Sequence, residues 1–305
     1  MVNELRNGVP RPFLKWAGGK GYLVIEYDRL GLLPKNFSNY FEPFLGGGAI
    51  YFYLWKKKKI KNRAYLSDIN SELINVYQII RDHVNDLLSE LEKLKNKYSK
   101  EDYYEHRKEY NMLKKIGKPK LEEKIRKAAL LIYLNKTCYN GLYRENKKGE
   151  FNVPFGKYKN PTIYEEKNLR AVSRALQSTI LRACYFEEGV KEATNGDFVY
   201  FDPPYMPLSP TASFTSYHKL DFSYEDQKRL AKVFENLTKS GVKVLLSNAY
   251  HPDIKKLYIK IEGTYLNIVQ APRFINSKAE GRGVINEYAI SNYPPENKKR
   301  QLTLL

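Results

Sequence analysis

The sequence predicts an α/β protein, an open sheet of about seven strands interrupted by a mainly helical insertion, on three observations. Residues 39–68 read as strand, glycine turn, helix and strand, a βαβ opening. Residues 179–305 return to strand–helix alternation. Between them, residues 81–178 are rich in Lys, Glu and Tyr and helical in texture. At 305 residues the chain is long enough for a full core and for two domains, or for one large domain with an insertion.

The first strand is the run Asn39-Tyr40-Phe41-Glu42-Pro43-Phe44, which passes through Leu45-Gly46-Gly47-Gly48 into an apolar helical stretch at 49–55. The second, Ala64-Tyr65-Leu66-Ser67, ends at Asp68. Residues 86–110 form a charged amphipathic stretch. Ile125, Ala128, Ala129 and Ile132 then fall at the i, i+3, i+4, i+7 spacing of a packed helix. Residues 141–161, full of Asn, Gly, Lys and Pro, read as a hairpin or a long functional loop. Later strands are expected at 180–186, 198–201, 242–246, 264–269 and 286–291. A helix near 224–239 would bury Leu230, Val233, Phe234 and Leu237.

Composition narrows the function. Lys plus Arg number 52 against 34 Asp plus Glu, a net charge of +18 that points to a polyanion, most simply nucleic acid. An acidic membrane surface would suit the charge too, but no polybasic amphipathic helix or lipidation motif accompanies it. Cys138 and Cys184 cannot make a disulfide framework and read as reduced residues of a cytoplasmic protein. The four histidines form no HExxH and no CxxC exists, so no metal site is expected. The first twelve residues lack the apolar core of a signal peptide, and no run of 18 apolar residues occurs.

Two places carry chemistry. Gly46, Gly47 and Gly48 let backbone approach a ligand at a helix N-terminus. Asp68, twenty residues beyond Gly48 at the next strand's end, stands where nucleoside-binding folds hold ribose hydroxyls. A tight turn followed by a helix-capping Asp would read the same way. A nicotinamide oxidoreductase is disfavoured, because the turn is GGGA rather than GxGxxG. The second place is Asp202-Pro203-Pro204-Tyr205, directly after the buried-strand run Phe198-Val199-Tyr200-Phe201. Two prolines stiffen the backbone and leave carbonyls free to accept. Asp202 adds a further acceptor and Tyr205 a flat face. Together they suit a planar group bearing an exocyclic amine, such as adenine or cytosine.

These motifs occur in one order with several others: Phe13-Leu14-Lys15-Trp16-Ala17-Gly18-Gly19-Lys20, Ser67-Asp68-Ile69-Asn70, Asn140-Gly141-Leu142-Tyr143-Arg144 and Phe151-Asn152-Val153-Pro154-Phe155-Gly156. The set, spanning about 11–293, resembles the Dam-type DNA adenine-N6 methyltransferases, with the closest likeness to the DpnII/MboI-type enzymes that modify GATC. The resemblance implies a Rossmann-like S-adenosylmethionine-dependent sheet formed by 1–80 and 179–305. It implies a target-recognition domain at 81–178, with a DNA-reading hairpin at about 139–158. Trp16, Lys20, Phe44, Gly46, Gly48, Asp68 and Asp202 would hold S-adenosylmethionine. Asp202, Pro203, Pro204 and Tyr205 would carry catalysis on a flipped adenine. Lys15, Tyr139, Asn140, Leu142, Arg144 and Pro154 would read double-stranded DNA, Arg144 by gripping a guanine edge. Lys147, Lys148, Lys157 and Lys159 would flank the hairpin along the phosphates. The loop at 206–222, with Phe214 and Tyr217, would wall the site. A second loop at 271–284, with Arg273, Lys278 and Arg282, would clasp phosphate. A cognate restriction endonuclease acting on the same site would be a functional partner. The residues themselves also admit a cytosine-N4 or RNA methyltransferase, or a non-catalytic nucleic-acid-binding module.

Overall fold

Short aromatic and β-branched runs form the strands, and strict alternation along them explains how both faces of the sheet are covered. The computed structural model of the chain describes residues 8–16, 18–205, 222–272 and 284–296. The expected loops at 206–222 and 271–284 fall almost wholly outside them. The strands are β1 (Tyr40–Glu42), β2 (Ala64–Asp68), β3 (Thr179–Ala183), β4 (Phe198–Phe201), β5 (Lys243–Ala249), β6 (Tyr265–Pro272) and β7 (Val284–Ser291). They form one seven-stranded sheet in the order β3-β2-β1-β4-β5-β7-β6, the α/β fold the sequence predicts. Strands β1 to β5 pair in parallel, while β7 lies antiparallel between β5 and β6. The chain order reverses between β1 and β4, the switch point where open α/β sheets bind ligands at their carboxyl ends.

Tyr40, Phe198, Tyr200 and Leu245 face one core. That core is closed by α1 (Leu23–Arg29), α2 (Ala49–Lys56), α3 (Ser71–Asp82) and the insertion. Phe41, Val199, Phe201, Val244 and Leu246 face the other, closed by α8 (Phe186–Gly189), α9 (Tyr224–Lys239) and α10 (Pro252–Tyr258). The third strand stops earlier than its apolar run suggests. Cys184 N–H makes a last bond to the Asp68 carbonyl, and Phe186 then starts α8, whose first turn carries Glu187 and Glu188.

The insertion contains α4 (Val84–Lys95), α5 (Lys100–Leu113), α6 (Leu121–Thr137) and the returning α7 (Glu166–Leu176). The charged stretch at 86–110 is therefore two helices. Ser99 breaks it by capping α5, its hydroxyl accepting the Asp102 N–H at 2.9 Å. The apolar stripe of α6 widens until every residue from Lys127 to Asn135 is buried, because α3, α4 and α5 all pack on it. Within that packing the Lys127 ammonium lies 2.9 Å from Glu72 of α3, a buried ion pair tying the insertion to the sheet's helical layer.

Candidate active site at the strand ends and the adjoining hairpin

The sheet delivers four carboxylates to one edge. Glu42 ends β1, Asp68 ends β2 and Asp202 follows β4. Glu287 reaches the same edge because β7 runs the opposite way, so a residue early in that strand sits level with the ends of the parallel ones. Ala249 pairs with Glu287 and Ser247 with Ala289, so Ser247 and Glu287 are diagonal neighbours on one face. Into this edge the segment after Trp16 lowers Lys20, which is only 6% exposed. Its ammonium lies 3.2 Å from Asp202 Oδ1 and 3.2 Å from Glu287 Oε2, and it donates to the Tyr205 hydroxyl. Tyr205 in turn donates to Glu287 and lies 3.0 Å from Ser247 Oγ.

Burying unlike charges together shifts each of them. For Lys20, burial pulls against the charge, but Asp202, Tyr205 and Glu287 outweigh it and hold the ammonium well above its ordinary value. Burial pushes Asp202 up to about 6, against the pull of Lys20 and with a further push from Glu287. Burial pushes Glu42 up to about 8, although the Tyr40 hydroxyl donates to it at 2.8 Å; Asp202 and Asp68 add to the rise. Burial also raises Asp68, opposed by the N–H groups of Asn70, Gly46 and Ile69. An edge so crowded with desolvated carboxylates favours a cationic ligand.

Beside it lies the glycine turn. Gly46 (φ +47°) and Gly48 (φ +67°) adopt left-handed backbone; a Cβ on Gly46 would stand 3.0 Å from the Trp16 ring, and one on Gly48 2.9 Å from the Tyr77 hydroxyl. Asp68 fixes the turn by accepting Gly46 N–H at 3.0 Å on one oxygen and Asn70 N–H at 3.0 Å on the other. A carboxylate has about four acceptor sites, so it retains capacity for a ligand hydroxyl. Phe44 stacks on Phe186 at 5.4 Å and meets Phe222 edge-on at 5.6 Å. Ile69, directly after Asp68, is exposed. A bare backbone turn, a hydroxyl-accepting carboxylate, apolar rings and an acidic floor fit a nucleoside carrying positive charge.

The expected hairpin is a hairpin of a loose kind. Only two isolated bridges cross it, Cys138 to Phe155 and Glu145 to Phe151. Side chains of α5 hold its returning limb instead. Tyr103 and Arg107 donate to the Val153 carbonyl at 2.7 and 3.1 Å, and Asn111 exchanges two bonds with the Phe151 backbone. These positions are i, i+4 and i+8 on one helix face. Asn140 (φ +55°) and Gly141 (φ +63°) turn the leading limb sharply against Lys15. Asn135, fully buried on α6, clamps that meeting point. Its amide accepts Lys15 N–H at 2.8 Å and donates to the carbonyls of Lys15 at 2.7 Å and Gly141 at 3.0 Å.

The structure thus brings Lys15, Tyr139, Asn140 and Pro154 together on one exposed end; Tyr139 N–H bonds the Pro154 carbonyl at 2.8 Å. Leu142 and Arg144 are half-buried. Arg144 Nε donates to Asn152 Oδ1 at 2.8 Å across the hairpin. Tyr143 stacks on Trp16 at 5.3 Å, so the hairpin rests on the same indole that lines the glycine turn.

Comparison with known proteins decides what this constellation belongs to. The profile of the D12 class N6 adenine-specific DNA methyltransferases matches residues 16–270. The chain belongs to this family. The match runs from the Trp16 motif through the tetrapeptide, and relatives cover the chain almost end to end. The chain is 44% identical over 297 residues to the type II methyltransferase M.MjaIII of Methanocaldococcus jannaschii, covering 93% of this chain and 99% of the relative. It is 40% identical over 287 residues to the type II methyltransferase M1.LlaDCHI of Lactococcus lactis subsp. cremoris, covering 93% and 95%. It is 35% identical over 287 residues to the DNA adenine methylase of Escherichia coli K12, covering 93% and 96%. This D12 methyltransferase therefore acts on adenine N6 of DNA, and the cytosine, RNA, oxidoreductase and pure-binding alternatives fall away. Among its described residues no helix is long and apolar enough to cross a membrane, and no three His, Cys, Asp or Glu gather as metal ligands. Sequence reasoning missed Glu42, Glu287, Ser247, Asn135, Tyr143 and Phe186. A signal existed for three of them: Glu42, Asn135 and Glu287 are polar residues inside otherwise apolar strand or helix runs.

Proposed function

We propose that this methyltransferase uses S-adenosylmethionine as methyl donor and acts by base flipping on adenine in duplex GATC. The observation that carries the reading is Asp202. It is a carboxylate at a parallel strand's end, beside the switch point, whose side chain is 18% exposed while its proton affinity is raised by burial. The glycine turn follows β1, the strand beside β4, and the hairpin rests through Tyr143 on the Trp16 indole that lines that turn. When bound, S-adenosylmethionine supplies a methyl group on a sulfonium that departs as a neutral thioether. Asp68 accepts a ribose hydroxyl, the glycine turn and Trp16 face the amino-acid end, and Phe44, Phe186 and Ile69 cover the purine. Asp202 and the Pro203 carbonyl accept hydrogen bonds from adenine N6 and turn its lone pair out of the ring plane, and the proton that N6 sheds once it carries the methyl group passes by way of Asp202 to solvent. Most of the rate comes from this orientation and from electrostatics.

In this reading residues 1–80 and 179–305 form the catalytic unit, and 81–178 recognise the target through the hairpin at 139–158. Tyr139 fills the gap left by the flipped base. Lys15, Asn140, Leu142, Arg144 and Pro154 meet base edges. The protein works in the cytoplasm, where its free cysteines stay reduced, and a restriction endonuclease of the same specificity needs no stable complex with it.

The test is incubation with methyl-labelled S-adenosylmethionine and a GATC duplex, followed by digestion to nucleosides. Label is expected in N6-methyldeoxyadenosine, with none in a duplex of permuted sequence. Equal labelling of both duplexes refutes GATC specificity.

A further inference from the structure

We propose that Glu287 is a positioning residue for methyl transfer: it shares the Lys20 ammonium with Asp202 and so keeps the Asp202 carboxylate available to the adenine amine. The inference rests on the reading of Asp202 given above and adds a group from the far end of the chain.

An ammonium has three donors and no acceptor. Lys20 directs its donors at Asp202 Oδ1 (3.2 Å), Glu287 Oε2 (3.2 Å) and the Tyr205 hydroxyl. Two carboxylates share one cation, so the centre stays one charge negative. Glu287 also accepts a hydrogen bond from the Tyr205 hydroxyl and lies 3.5 Å from Ser247 Oγ, which fixes the last residue of the tetrapeptide against β5 and β7. Without the Glu287 charge, Lys20 would act on Asp202 alone. The Asp202 oxygens would then be weaker acceptors for N6, and the carboxylate would be easier to ionise.

The groups facing Asp202 come from every neighbouring element. They are Lys20 from the N-terminal segment, Tyr27 on α1, Tyr40 and Glu42 on β1, Tyr200 on β4, Tyr205 after it, and Glu287 on β7. Among these charged neighbours Lys20 lowers the proton affinity of Asp202 and Glu287 raises it. Removing the Glu287 charge therefore has a defined sign.

The experiment is single-turnover methyl transfer to an adenine duplex across pH 5–9, with wild type, Glu287→Gln and Glu287→Asp. Glu287→Gln should lower the plateau rate by about 10–100-fold. It should also shift the acid limb of the profile to lower pH by about half a unit or more, while duplex affinity stays within about threefold. Glu287→Asp keeps the charge but withdraws the carboxylate by one methylene, so its plateau should fall while its acid limb stays at the wild-type pH. A merely structural residue would lower rates without moving the limb. A Glu287→Gln plateau within twofold of wild type, or a lowered plateau with the limb unmoved or moved up, overturns the proposal. If Glu287→Gln fails to fold, the charge-removing Glu287→Ala takes its place, with the same expected fall in plateau and downward shift of the limb and the same overturning results. A wild type that transfers no methyl group to adenine N6 would instead overturn the functional reading.

Discussion

The strand ends and the hairpin adjoin through the Trp16 indole and are built by opposite means. At the strand ends, position comes from backbone: parallel ladders and one antiparallel strand set Glu42, Asp68, Asp202 and Glu287 at a common level. Their charges are desolvated, and Glu42 and Asp202 hold protons up to about 8 and about 6. In the hairpin, two isolated bridges replace a ladder, and position comes from the side chains of Tyr103, Arg107, Asn111 and Asn135. Its outer residues, Tyr139, Asn140, Lys147, Lys148 and Pro154, are exposed. The difference teaches where each kind of chemistry can live. Orienting a reacting atom needs rigid, dry groups, whereas reading a groove needs groups at the surface that a scaffold aims without enclosing. The same contrast reconciles a chain of net charge +18 with an acidic sheet edge: a basic exterior suits a polyanion, and desolvated carboxylates suit a cation.

The sharpest way to break the comparison is Asp202→Ala. Transfer should fall by about 10³-fold or more with duplex binding retained, because a positioned acceptor is lost and the reading surface is untouched. Turnover within tenfold of wild type would remove chemistry from the strand ends. On the hairpin side, Arg144→Ala should relax selection at one outer pair by about 1–3 kcal/mol, about 5–150-fold, leaving cofactor affinity unchanged. Lys148→Ala should weaken all duplexes alike and only a few-fold. Methylation rates on duplexes altered one pair at a time check both, and a uniform loss with Arg144→Ala would show that the roles are reversed.

The last prediction sharpens the electrostatic half. On the proposed reading a cationic cofactor sits at this edge and favours ionised carboxylates, so its binding should displace protons held by Glu42 and Asp202. As pH falls through about 8 and then about 6, affinity for S-adenosylmethionine should therefore drop, by up to about tenfold per pH unit for each group titrated. Calorimetry in buffers of different ionisation enthalpy counts the protons released. Glu42→Gln should flatten the dependence between pH 6 and 8, and an unchanged slope would show that Glu42 does not sense the ligand.

The sequence by itself determined what is local. Short apolar runs and turn residues placed all seven strands, the glycine turn at Gly46–Gly48, Asp68 and the tetrapeptide at Asp202, because each depends on neighbours a few residues away. Tertiary structure decided what depends on strand order and on helices packing from elsewhere. Lys20 and Glu287 are 267 residues apart and meet only because β7 inserts antiparallel between β5 and β6. Lys15 and Asn135, 120 residues apart, bond only because α6 is buried beneath the N-terminal segment. No periodicity encodes such pairs. In the sequence, a buried carboxylate or amide shows only as a polar residue in an apolar run, and its partner appears when the strand order brings the two within hydrogen-bond reach.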